Sequence, residues 1–400
     1  MPVLRRRAAA WCQANDRPEE ALEYAMAADD VDMAASLVKS LLLPTDRQGR
    51  YATLKRWLGW LEERDGIAGH PMIAVWAALH AAQTGRPAEA ERWADMVDRW
   101  QYGDSSQPDD PTVRAWAAVL RAVICRHGIE QMRADADEAE RRFAAANMVA
   151  PVATLCVALA RVFSGDLDGS RELLEDTARG AAEVGSYEVW ADALCERSLL
   201  AMADGDWSRA DTLAGQAGDV LRPIGMESLT ACAVRARTAM HRGDVEAARR
   251  ELVSAQRSRL LATYAIPHLA VQARIELIRV RLALADVTGA RTLMREIDEI
   301  LKRRPDLGTL ASEARELRAR LSTERGPATP GVSSLASAEL RVLPMLATHL
   351  SFPEIGAEMF LSPHTIKSQA MSIYRKLGAS SRNQAVIRSR ELGLLEGIAP

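Results

Sequence analysis

Tyr187–Leu221 reads YEVWADALCERSLLAMADGDWSRADTLAGQAGDVL, which is two helices and one turn. Apolar residues return at helical spacing over Tyr187–Met202 and again over Trp207–Leu221. Gly205 is suited to the left-handed conformation that closes the first helix, and Asp206 to capping the second. Ala210 is small enough to let the two helices approach closely. The same marks recur at Gly85–Ala90, Gly165–Ser170 and Gly243–Ala248, with weaker copies from Gly128 and from Ala285 to Ala290. Successive marks are 37 to 43 residues apart. Two helices per such interval is the signature of an α-solenoid, in which hairpins unable to bury both apolar faces stack on their neighbours. The curved inner surface of such a stack is its usual binding surface.

Composition agrees with an all-α chain. Of 400 residues, 48% are hydrophobic and only 5% aromatic, and Val/Ile/Thr runs of period two are scarce. The array spans residues 66–320, behind a more compact helical lead-in at 1–65, and resembles tetratricopeptide-like repeats with a somewhat longer unit. In the lead-in we expect helices over Arg5–Asn15, Pro18–Ala28, Asp32–Leu43 and Arg50–Glu63. The five cysteines are odd in number and widely spaced within helical patterns. They fit neither a disulfide framework nor a zinc site, and read as small core residues of a reducing compartment. Arg5-Arg6-Arg7 is not followed by an uninterrupted apolar region, so no signal peptide is expected. The longest apolar run is too short for a bilayer, which implies a cytoplasmic protein with no membrane partner.

Several local patterns carry no chemistry. Arg242-Gly243-Asp244 spells an adhesion tripeptide but coincides with a repeat turn. Cys125 and His127 point in different directions on a helix. No HExxH, paired CxxC or nucleophile elbow occurs, so neither an enzyme, a metal site nor a cofactor is expected. There is no phosphate-loop motif, which excludes a P-loop nucleotide site within these residues.

After Leu321–Ser334, a Gly/Pro/Ser/Thr-rich linker, residues 335–398 change character. Residues 335–400 carry seven Lys/Arg against five Glu, whereas the whole chain has a net charge of −3. Four short helices are expected here. The first covers Glu339–Thr348, and Ser351-Phe-Pro-Glu354 is a capping box for the second. A turn at Phe360-Leu361 leads to the third, which is capped by Ser362, opened by Pro363 and closed by Gly378. Ser381-Arg-Asn-Gln384 is another capping box, for a helix running to Leu392. In the third helix Ile366, Ala370, Ile373 and Leu377 form one apolar stripe. His364, Lys367, Ser368, Met371 and Arg375 fall opposite, with Thr365 and Ser372 along an edge and no carboxylate among them. Such a face suits a DNA major groove.

These residues resemble the LuxR-type helix-turn-helix domain of bacterial transcription regulators. The matches are Leu335, Glu339, Val342, Leu343, Ser351, Glu354, Ile355, Leu361-Ser362, Thr365-Ile366-Lys367, Ile373, Lys376-Leu377-Gly378, Arg382, Ala385-Val386 and Gly393-Leu394-Leu395. The departures are Ala338, His349, Phe352-Pro353 and Gln369, the last still able to donate to a phosphate oxygen. The resemblance implies a sequence-specific DNA-binding regulator. Its DNA-facing residues would be His364, Thr365, Lys367, Ser368, Gln369, Met371, Arg375 and Lys376. Lys367, Ser368 and Met371 would lie nearest the bases, and Thr365, Gln369, Arg375 and Lys376 nearest phosphates. Double-stranded DNA, a second copy through Asn383–Leu392, RNA polymerase, and a small-molecule or protein effector in the solenoid groove are the implied partners.

A looser resemblance, carried by Arg5–Trp11, Pro18–Ala21 and the residues before Val31, is to the segment after the ATPase module in large MalT-like LuxR regulators. On that reading the chain is either the output part of a longer protein or a regulator that works without nucleotide. The competing reading is a protein-interaction scaffold whose terminal domain does not read DNA.

Overall fold

A computed structural model of the chain describes residues 2–102, 110–323, 335, 337–359, 361–391 and 394–395. Among these, every regular element is helical, with 21 α-helices and one short 3₁₀ turn. Sequence-adjacent helices pair into antiparallel hairpins, as the repeat marks imply. No helix among the described residues is long and apolar enough to cross a membrane.

The chain forms two compact units. The first holds residues 1–226 and 263–267; the second holds 227–262 and 268–400. In the first, helices pair as Pro2–Ala14 with Pro18–Ala27, Val31–Arg47 with Tyr51–Glu62, and Pro71–Gln83 with Pro87–Tyr102. Then come Pro111–Ile124 with Ile129–Ala145, Pro151–Ser164 with Leu167–Val184, and Tyr187–Ala203 with Trp207–Leu221. Pro18, Pro71, Pro111 and Pro151 stand at the first helical turn, where a missing N–H leaves nothing unsatisfied. Successive hairpins interlock through large side chains. The rings of Trp76 and Trp116 lie 5.0 Å apart, and Phe143 meets Trp116 edge-on at 5.4 Å.

The turn chemistry is as read, with one instructive exception. Gly85, Gly165, Gly205 and Gly243 all have positive φ. Ala285 takes the same conformation, φ +57°, without being glycine. Asp166, Asp206, Asp244 and Asp286 each accept a hydrogen bond from the backbone N–H three residues on, at 2.8–3.0 Å. The small residues Ala90, Ser170, Ala210, Ala248 and Ala290 are fully buried. In the weaker copy the roles shift: Cys125 is the left-handed residue and Gly128 the N-cap. All five cysteines are buried free thiols, and burial pushes those of Cys156 and Cys232 up to about 12.

Two boundaries differ from expectation. The helix expected to stop at Leu43 continues through Pro44 to Arg47. Leu41, Leu42 and Thr45 are buried while Pro44 faces outward, so packing on both sides of the proline outweighs the lost hydrogen bond. Leu321–Thr323, expected to begin the linker, finish the helix Thr309–Thr323, with Leu321 buried. The rest of the linker, 324–334, lies outside the described residues.

In the second unit Leu229–His241 pairs with Val245–Ser258, followed by Pro267–Ala283, Val287–Arg303 and Thr309–Thr323. The helix Pro267–Ala283 is buried nearly all round, and arginines neutralise the carboxylates that enter with it. Arg274 binds Glu296 at 2.9 Å and donates to the carbonyls of Ala270 and Arg259. Glu276 is held by Arg237 at 2.5 Å and by Arg279.

The terminal helices of this unit are Ser337–Leu346, Phe352–Met359, Pro363–Leu377 and Arg382–Glu391. Pro363–Leu377 packs against each of the other three. Its core partners include Leu335, Leu340, Val342, Leu343, Leu346, Ile355 and Ala385.

Candidate nucleic-acid interface

The helix Pro363–Leu377 is built as its sequence implies. Ser362 has extended backbone angles, and its Oγ accepts from the Thr365 N–H at 3.1 Å. Gly378, at φ +64°, closes the helix by donating to the carbonyls of Tyr374 and Arg375. Ile366, Ala370, Ile373 and Leu377 are buried, and Tyr374 joins them through its ring. A solvated helix can expose a stripe of any composition; here the buried stripe fixes which face is left outside.

On that outside face His364, Lys367, Ser368, Met371 and Arg375 are exposed. Met371 is 57% exposed, an uncommon state for so apolar a side chain. Among the described residues Arg375 bonds only to the hydroxyl of Ser372, at 3.5 Å. Thr365 and Gln369 are half-buried at the margin. The Thr365 hydroxyl lies 2.8 Å from Ser362 Oγ, and the Gln369 Oε1 is buried without a hydrogen-bond partner. No carboxylate occurs anywhere on the helix. Exposed cations and hydrogen-bonding groups on one rigid face complement both phosphates and base edges.

One expected site residue is used otherwise. The ammonium of Lys376 donates to both oxygens of the largely buried Glu339, at 2.6 and 2.8 Å. Its charge is already satisfied within the domain. Lys376 ties this helix to Ser337–Leu346 through that pairing.

The helices around it are held by contacts that sequence spacing reveals only in part. The Arg382 guanidinium donates to four carbonyls, those of Met345, Leu346, Thr348 and Leu350, at 2.7–3.1 Å. It thereby caps the first terminal helix, which ends at Leu346 rather than at Thr348 as expected. Glu354 accepts from both the N–H and the hydroxyl of Ser351, completing the capping box from its side and holding its own carboxyl below the usual range. In the second box Ser381 Oγ caps Gln384 N–H, while the Gln384 side chain reaches Ser380 instead. Gly356 sits at the crossing of Phe352–Met359 with the next helix. A Cβ there would lie 2.6 Å from the Leu361 carbonyl oxygen. Phe360, Leu392 and Gly393 lie outside the described residues.

Residues 333–389 match the luxR family of bacterial regulatory proteins. The match covers this bundle and stops short of the hairpins. Two relatives are similar over longer stretches. The probable transcriptional regulatory protein NarL of Mycobacterium tuberculosis is 36% identical over 72 residues, which is 18% of this chain and 33% of NarL. The transcriptional regulatory protein YdfI of Bacillus subtilis is 31% identical over 140 residues, 34% of this chain and 62% of YdfI. The chain thus spans less than two thirds of either relative. A LuxR-type helix-turn-helix domain therefore stands behind a large helical body.

Proposed function

We propose that this chain is a sequence-specific DNA-binding transcription regulator, acting in the cytoplasm, whose helical-repeat body senses an effector or mediates assembly. The observation that carries this reading is the exposed, carboxylate-free face of Pro363–Leu377, in a domain matching the luxR family. The helix enters the major groove with Lys367, Ser368 and Met371 toward the bases. His364, Thr365, Gln369 and Arg375 approach the walls of phosphate. A base contact through Lys367 discriminates by about 1–3 kcal/mol, whereas each phosphate contact adds salt-dependent affinity without sequence preference. One domain makes few contacts, so two copies on paired half-sites supply useful specificity, joined through Asn383–Leu392. The residues of that helix that point outward, Ile387 among them at 58% exposed, are available for such a contact. RNA polymerase is the protein such a regulator acts upon. The repeat body and the N-terminal resemblance support kinship with large MalT-like regulators.

The test is a gel shift on an operator selected from a random DNA pool. Lys367→Ala with Arg375→Ala should reduce affinity by at least about tenfold per contact at low salt, with helicity by circular dichroism unchanged. Unchanged affinity removes the groove assignment. Salt-insensitive behaviour together with a stable protein partner would favour an interaction scaffold instead.

A further inference from the structure

The helices Leu167–Val184 and Trp207–Leu221 both pack against Tyr187–Ala203, and the three line a cleft of about 750 Å³ in the first unit. That is the size of a small-molecule site. Trp190, Leu194, Arg197 and Ala201 line it at steps of three or four residues, so they share one helix face. Leu194 and Ala201 are buried, and Trp190 is half-buried.

Arg197 differs from the arginines around it. Its side chain is 19% exposed, and its one ion pair among the described residues, with Glu175, spans 3.8 Å. That is beyond hydrogen-bond reach, and no other partner meets the guanidinium among the described residues. All its nitrogens nevertheless keep accessible surface, so the donors open into the cleft that the residue lines. The corresponding arginine of a later hairpin is closed. Arg235 stands eight positions before the turn glycine Gly243, as Arg197 stands before Gly205. Glu251, eight positions after Gly243, holds Arg235 at 2.7 Å. The matching position after Gly205 is Leu213, which is buried and uncharged. This hairpin has the guanidinium without its carboxylate.

We propose that the cleft binds a small organic monocarboxylate with an apolar body, its carboxylate taken by Arg197 and its body laid on Trp190 and Leu194. A guanidinium presents its N–H groups as a planar fork that a carboxylate fits with two parallel bonds. The other cations of the walls are less available. Asp204 holds Arg171 at 2.8 Å, and Asp176 holds Arg179. Glu172 and Glu175 stay exposed on one wall, which disfavours a dianion such as a phosphate ester beside the single open guanidinium. The site names an effector class for the sensing body proposed above and rests on that reading. Binding is measured without DNA, so this test can fail while the groove assignment stands.

The test is titration calorimetry of the full chain with hydrocinnamate and, at matched ionic strength, with its neutral amide, hydrocinnamamide. Hydrocinnamate should bind saturably and at least about tenfold more tightly than the amide. Arg197→Gln should remove that difference, whereas Arg209→Gln, on the opposite wall, should keep it. Trp190→Ala should weaken both ligands. Circular dichroism should show all three variants folded. Absence of hydrocinnamate binding, or equal affinity of acid and amide for the native chain, would overturn the proposal. Discrimination retained in Arg197→Gln, or lost in Arg209→Gln, would do so as well. Equal competition by inorganic phosphate would also overturn it, since it would reveal a site for any anion.

Discussion

Two helices, one in each compact unit, treat the carboxylates around them in opposite ways. Around Pro267–Ala283 in the second unit, Glu276 and Glu296 each meet arginines, and the backbone carbonyls of Ala270 and Arg259 satisfy further guanidinium hydrogens. Around Tyr187–Ala203 in the first, Glu188 meets a phenol and an amide, and Asp192 lies in the field of Glu188. The first arrangement is closed, because every charge brought out of water has its counter-charge in the same chain. The second is open: Glu188 meets only neutral donors, and burial raises both Glu188 and Asp192.

Breaking the closed network should produce the largest effect. Arg274→Ala leaves Glu296 and two carbonyls facing a void, and should cost about 3–5 kcal/mol in urea denaturation. In the open cluster the same kind of change should act in the other direction. Burial, with the charge of Glu188 beside it, raises Asp46 from its ordinary value to about 8. A carboxyl with a raised folded pKa binds more protons folded than unfolded. Its contribution therefore falls as pH rises from about 4 to about 8. The melting temperature should accordingly rise as pH is lowered from 8 toward 5, and Asp46→Asn should flatten that slope. An unchanged slope would mean that Asp46 is not held as described. The smallest effect is a control with no charge at all. Ala285→Gly relieves a left-handed alanine and should stabilise the second unit by about 1 kcal/mol at any pH.

The same division between local and distant partners explains how much was legible beforehand. The hairpin Tyr187–Ala203 and Trp207–Leu221 was readable almost to the residue, because Gly205, Asp206 and Ala210 act within a few positions of one another. So was the buried stripe of Pro363–Leu377, where one periodic face and two caps suffice. Lys376 was not, since its partner Glu339 lies 37 positions away and an exposed cation looks the same in sequence as a paired one. Arg382 was matched by resemblance, but its grip on four carbonyls follows from where the first terminal helix ends in space. A glycine inside a short capped helix could have pointed to the close crossing at Gly356.

Helix identity, hairpin order and the polar face of the terminal domain follow from short-range rules: capping, steric freedom at glycine and the period of the apolar residues. Which charges are neutralised, and which stay open, depends on residues far apart in the chain. Tyr51 reaches Glu188 across 137 positions. Only close packing of the hairpins brings those groups together. Burial then makes the presence or absence of a counter-charge decisive, because water no longer screens it.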